Sequence, residues 1–189
     1  MRQPLTPSQT VGPYLHIGLD WLNTTELAVP GVAGQRIALH GQLVDADGVP
    51  VPDGLIEIWQ ANADGHYAHP DDHGAGSLDA RFTGFGRCPT DAEGRFHFST
   101  IKPGSVPTAS GLAQSPHIMV HIFARGLLKQ LVTRVYFAGD DQASDPVLQQ
   151  VPAARRHTLI AVPAVDQPDR YTWQIVLQGG SNETVFFAL

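Results

Sequence analysis

Residues 55–67 read Leu-Ile-Glu-Ile-Trp-Gln-Ala-Asn-Ala-Asp-Gly-His-Tyr. The first seven are β-branched, aromatic or aliphatic everywhere except Glu57 and Gln60, a composition that suits a pleated strand better than a helix. A period of two puts Ile56, Ile58 and Gln60 on one face and Glu57 and Trp59 on the other. The cluster from Asn62 to Gly65 then breaks the strand. The same reading extends outward. Residues 36–44 alternate and end in the turn cluster Asp45-Ala-Asp-Gly48. Residues 95–101 alternate, 117–124 form a longer apolar strand, and 131–137 follow. Residues 159–162, 171–177 and 183–187 complete the set, with Gly179-Gly-Ser-Asn182 as the loop of a final hairpin. Only residues 145–156 read as helical, and briefly. Closely spaced strands with almost no helix predict an all-β chain folded as an antiparallel β-sandwich or barrel.

Composition agrees. The chain has 189 residues with 19 Gly and 15 Pro, 42% hydrophobic and 16% charged, so turns are frequent and a core is affordable within one domain. The net charge is −6 and no basic run exists, which argues against nucleic-acid binding. Cys88, the single cysteine, cannot form an internal disulfide and is consistent with a reducing, cytoplasmic setting. The polar, Pro-containing start has no apolar signal region, and no apolar run approaches the ~18 residues of a membrane span. Residues 1–35 read as an extended arm interrupted by Pro4, Pro7, Pro13 and Pro30, yet they carry Tyr14, Leu15, Ile17, Leu19 and Trp21. Such a segment packs on something, either its own domain (36–189) or another subunit.

Nine histidines invite a metal reading. The densest group, His66, His69 and His73 with Asp71 and Asp72, has the donors to hold a divalent ion, or is a solvated loop. His117 and His121 share a strand face but lie about 13 Å apart by strand rise and cannot share a metal. Cys88 reads as a reactive thiol or as a small buried side chain. Arg125 ends an apolar strand just before Gly126, and there a guanidinium can meet a carboxylate through paired hydrogen bonds, or simply sit on the surface.

Several strings recur together: Thr6-Pro-Ser-Gln-Thr-Val-Gly-Pro-Tyr14, the stretch from Ile56 to Tyr67, Thr90-Asp-Ala-Glu-Gly94, Thr100-Ile-Lys-Pro-Gly104, Pro116-His117-Ile118, Thr133-Arg-Val-Tyr-Phe137 and Leu159-Ile-Ala161. In order and spacing they resemble the intradiol ring-cleaving dioxygenases, non-haem iron(III) enzymes that open catechols with O2. The arm, Phe123-Ala-Arg-Gly126 and Glu183-Thr-Val-Phe-Phe187 resemble one branch in particular, in which an alpha chain works beside a beta chain on protocatechuate. The family's iron is held by two Tyr and two His, and the matching positions here are Tyr67, Val106, His117 and Met119. Valine has no donor, and a thioether is a poor ligand for ferric iron beside phenolates. The resemblance therefore implies a β-sandwich of the intradiol type with no iron of its own, and Fe(III) on a beta-chain partner in a hetero-oligomer. Thr10, Gly12, Pro13, Tyr14 and Arg125 would complete the substrate pocket, and the product would be 3-carboxy-cis,cis-muconate. Tyr67 and His117 would be relics. Two other readings stay open on the residues alone: a stand-alone β-sandwich ligand-binding module that has lost iron chemistry, and an enzyme using a divalent metal in the His66–His73 loop.

Overall fold

In the computed structural model, which describes residues 5–72, 79–108 and 111–188, ten strands follow one another. They are β1 (Arg36–Val44), β2 (Leu55–Gln60), β3 (Phe85–Pro89), β4 (Arg95–Ile101), β5 (Val106–Pro107), β6 (Ala113–Gln114), β7 (His117–Phe123), β8 (Leu131–Phe137), β9 (Ile160–Pro163) and β10 (Arg170–Val176). Eight form one sheet in the order β3-β2-β7-β8-β9-β10-β1-β4, and β5 pairs with β6. The expected alternation holds in β2, where Ile56, Ile58 and Gln60 are buried while Glu57 and Trp59 face outward. The core is drawn from both halves of the sheet and includes Leu39, Leu43, Phe98, Ile101, Ile118, Ile122, Phe137 and Ile175, all fully buried. Each such side chain contributes about 1.5–3 kcal/mol on burial, so the fold stands without a disulfide.

Gln60 is the polar exception in this core. Its amide nitrogen donates to the carbonyls of Ile101 (2.9 Å) and Ala61 (3.1 Å), and its oxygen accepts from Thr100 Oγ1 at 2.8 Å. A buried amide with each group used in this way ties β2 to β4 across the interior instead of costing stability.

The sheet is mixed, which corrects the expectation of an antiparallel one. β8 pairs with β9, and β1 with β10, in parallel. The reason lies in the connections: β8 reaches β9 through the long segment 138–159, which has room to reverse direction, and β1 and β10 are too distant in sequence for a hairpin to dictate their sense. Residues 145–156, expected to be one short helix, form 3-10 turns at Leu148–Gln150 and Ala153–Leu159, interrupted by Pro152. Residues 183–187 do not form the last strand of a hairpin. β10 already has β9 and β1 on its two sides, so no edge is free. The tail instead makes single bonds, Thr184 N to Val176 O and Phe187 N to Val132 O. β3 went unread because Gly86 and Pro89 disguise a strand.

The edges β3 and β4 approach each other, and a Cβ on Gly86 of β3 would lie 2.9 Å from the Phe98 ring of β4. The gap is bridged from the N-terminal side. Thr24 pairs with Arg87 of β3, while Leu27 N donates to Ser99 O of β4 and Ser99 N donates to Thr25 O. Leu27 and Ala28 are buried. Upstream, the expected extended run contains a helical turn, α1 (Tyr14–Ile17), and a 3-10 turn at Asp20–Leu22. The buried Arg87 guanidinium bonds the Leu15 carbonyl at 3.1 Å, so this stretch lies over β3.

Candidate functional site

The turn after β2 is what presents Tyr67. Asn62 Oδ1 accepts the amides of Asp64 and His66, both at 2.9 Å, and Gly65 N returns to Asn62 O. This is an Asx-type turn closed by a glycine. Gly65 has φ +84 and a Cβ there would lie 2.0 Å from Ser105 O, so only glycine fits. Asp72 then takes Tyr67 N at 2.7 Å and His66 Nδ1 at 3.2 Å. The Tyr67 ring tilts against Trp59, with centroids 4.9 Å apart. Together with Val106, His69 and Asp71 these rings line a cleft of about 330 Å³.

The four positions that match the family's ligands do fall in one region, but their chemistry is not that of a ferric site. Val106 has no donor. His117 is buried on β7, and its Nδ1 donates to Ser115 O at 2.8 Å. Burial above all, with Arg134 second, lowers its pKa to about 4, so the ring is neutral. Burial raises the pKa of the Tyr67 phenol, against an opposing pull from Arg134. Met119 Sδ accepts a hydrogen bond from Arg134 Nε at 3.1 Å. Tyr67 and His117 could each supply a donor, but a valine with none and a thioether already engaged by Arg134 leave the set two donors short of what Fe(III) asks for, anionic oxygen and nitrogen.

Arg134 is the residue that sequence reasoning passed over. It lies on β8 directly opposite Met119, and its Nη1 donates to Gln114 Oε1 at 2.6 Å. Asp145 was also missed. It is fully buried and accepts Ser115 N, Val147 N, Leu148 N and the Tyr136 hydroxyl. Burial chiefly pushes the Tyr136 phenol up to about 12. The available signal for Arg134 was a cation in an otherwise apolar strand, Leu131–Phe137, inside a motif used only for its resemblance.

At the other end of β7, Arg125 is exposed and its Nε lies 2.8 Å from Asp53 Oδ2. Thr10 Oγ1 accepts Gly126 N at 2.7 Å, so the arm reaches the Arg125 turn. Val11 and Gln9 border a small cleft with Phe123 and Leu128. Gly12, Pro13 and Tyr14 continue outward, and Tyr14 is 79% exposed. Thr10 and Arg125 are thus brought together, while Tyr67, His117 and Met119 form a separate centre.

In the histidine loop, His66 faces Asp72 and His69 faces Asp71 at 3.7 Å; His73 lies outside the described residues. Among the described residues, no group of three or more His, Cys, Asp or Glu side chains is placed to hold a metal. Cys88 is buried, and burial raises its thiol pKa, which favours the small-side-chain reading. No helix among the described residues is long and apolar enough to cross a membrane.

Comparison with known proteins is consistent with this geometry. A family model described as dioxygenase matches residues 23–179. The chain is 41% identical to the protocatechuate 3,4-dioxygenase alpha chain of Pseudomonas putida, covering 97% of this chain and 96% of that one. It is 42% identical to the protocatechuate 3,4-dioxygenase beta chain of Burkholderia cepacia, over 77% of this chain and 66% of that one. The dioxygenase domain of a carbohydrate-binding fusion protein from Streptomyces sp. SirexAA-E superposes with a TM-score of 0.61 at 25% identity, covering 84% of this chain and 89% of that one. With a family match over most of its length and a relative alike from end to end, this chain belongs to the intradiol ring-cleaving dioxygenases.

Proposed function

We propose that this chain is the alpha subunit of a protocatechuate 3,4-dioxygenase, and that the Fe(III) doing the oxygen chemistry is held by a beta subunit. The observation that carries the reading is the likeness to an alpha chain over 97% of this chain, arm included, against 77% for a beta chain. The misfit of Tyr67, Val106, His117 and Met119 to a ferric ion supports it. A stand-alone binding module would leave the end-to-end likeness to an alpha chain unexplained.

In this reading the substrate is protocatechuate, cleaved with O2 between its two hydroxyl-bearing carbons to 3-carboxy-cis,cis-muconate. Thr10, Gly12, Pro13 and Tyr14 form a wall of the pocket on the partner, and the arm packs against that partner. Asp53 holds the Nε edge of Arg125, which leaves the Nη edge for the substrate carboxylate. A desolvated guanidinium–carboxylate contact contributes about 1.5–3 kcal/mol, roughly ten- to hundredfold in binding.

The test is co-production with an iron-bearing beta chain. The chain alone should be colourless and inactive, and the complex should show the tyrosinate-to-iron(III) band and turn over protocatechuate. Stoichiometric iron in the lone chain would count against the proposal. In the complex, Arg125→Ala should raise KM for protocatechuate about ten- to hundredfold and leave KM for plain catechol nearly unchanged. Equal effects on both substrates would remove Arg125 from the carboxylate.

A further inference from the structure

The centre formed by Tyr67, His117 and Met119 is degenerate, yet it is not hollow. Losing a metal leaves several inward-facing polar groups without the cation that ordered them, and buried polar groups need partners. The side chain that reaches this region is Arg134. Its place in the sheet makes this unavoidable: β7 and β8 are antiparallel, and Arg134 sits directly across from Met119. Both side chains therefore stand on the same face.

Three observations place its charge. Arg134 Nε donates to Met119 Sδ at 3.1 Å, on the side chain that replaces one family ligand. Nη1 donates to Gln114 Oε1 at 2.6 Å, which fixes the guanidinium plane. Arg134 is half-buried, and among the described residues it has no carboxylate within ion-pair distance. A fixed negative charge in the same surroundings is Asp145, which accepts the hydroxyl of Tyr136, a side chain that Arg134 also influences. Its field also reaches the other relics, opposing the ionisation of His117 and favouring that of Tyr67.

We propose that Arg134 is a built-in substitute for the metal: a permanent guanidinium cation that organises the old ligand side chains and keeps metal ions out. A guanidinium suits the task because it stays protonated at any physiological pH and offers donors in a plane. Like a metal ion it is met by lone pairs, but its N–H donors accept weak neutral ones, which is why a thioether sulfur and a carboxamide oxygen are adequate partners here. A multivalent cation brought into the same space meets a positive charge that has no route of escape, since the stem of Arg134 is anchored in the centre of the sheet. The inference does not depend on which partner the chain binds, so its failure would leave the subunit assignment untouched.

The experiment rebuilds the ligand set in the full chain with and without the arginine. The double variant Val106→Tyr/Met119→His supplies two Tyr and two His at the family positions while keeping Arg134. The triple variant adds Arg134→Gln. After exposure to ferrous iron and air, the double variant should remain colourless with negligible iron. The triple variant should take up close to one iron per chain and show a visible tyrosinate-to-iron(III) band. Equal loading of the two overturns the proposal, and so does a folded triple variant that takes up none. Should the triple variant fail to fold, the single variant Arg134→Ala decides. A few millimolar of methylguanidinium should refill its centre and raise its melting temperature by several degrees while leaving the parent chain unmoved. Rescue absent, or equal in the two proteins, overturns the proposal as well.

Discussion

His117 shows how burial governs the charge of an imidazole at a position that matches a family ligand. Its ring lies fully inside the protein, gives its Nδ1 proton to Ser115 O, and has its pKa lowered by burial first and Arg134 second to about 4, from an ordinary 6.5. Between those two values the unfolded chain binds a proton that the folded chain refuses. Stability therefore rises with pH across this window, is complete above about pH 6.5, and falls as the solution is acidified toward 4. The loss amounts to about 3 kcal/mol at most. Urea unfolding at pH 4.5 and pH 7.5 should show the fall in the parent chain, and His117→Gln should flatten a large part of it. A slope unchanged by that substitution would assign the acid sensitivity to other groups. At this scale the positions Tyr67 and His117 stood out in the sequence because a motif flags them, and Val106 and Met119 because they break it. Arg134 and Asp145 were not legible. Their roles depend on which strand lies beside which, and no local spacing encodes that.

The strands show the same division between near and far. β1, β2 and β4 were readable from alternation, since one face of each meets the core and period two is the direct record of it, whereas β7 and β8 were readable as apolar runs. What escaped was long-range: two parallel pairings, a strand masked by Gly86 and Pro89, and a tail denied an edge to pair with. The turn after β2 is the element most exposed to a single change. Gly65 combines φ +84 with a backbone oxygen, Ser105 O, where a Cβ would go, and an oxygen held by main chain cannot step aside. Gly65→Ala should cost about 2–4 kcal/mol, read as a lower urea midpoint at constant slope. It should also shift the near-ultraviolet signal of the Trp59–Tyr67 pair. An alanine variant as stable as the parent would mean that the turn has another conformation within reach.

For the molecule as a whole, residues 5–28 divide into two parts with different duties. From residue 5 to 23 the bonds to the body among the described residues are chiefly Leu15 O to Arg87 and Thr10 to Gly126. From Thr24 to Ala28 it is woven into the edges β3 and β4. Removal of residues 1–23 should leave the melting temperature within a few degrees of the parent, yet abolish co-purification with the iron-bearing partner. Retained association at full strength would show that the arm is not what the partner grips.

The short stretch from Thr24 to Ala28 has a further consequence. Its backbone bonds to both borders of the sheet, Thr24 to Arg87 of β3 and Thr25 and Leu27 to Ser99 of β4. Strip it away, by a protease nick or a start site placed beyond it, and both borders become templates onto which a neighbouring copy can add strand after strand. This five-residue clasp emerges from the ribosome before either border exists and must wait for them.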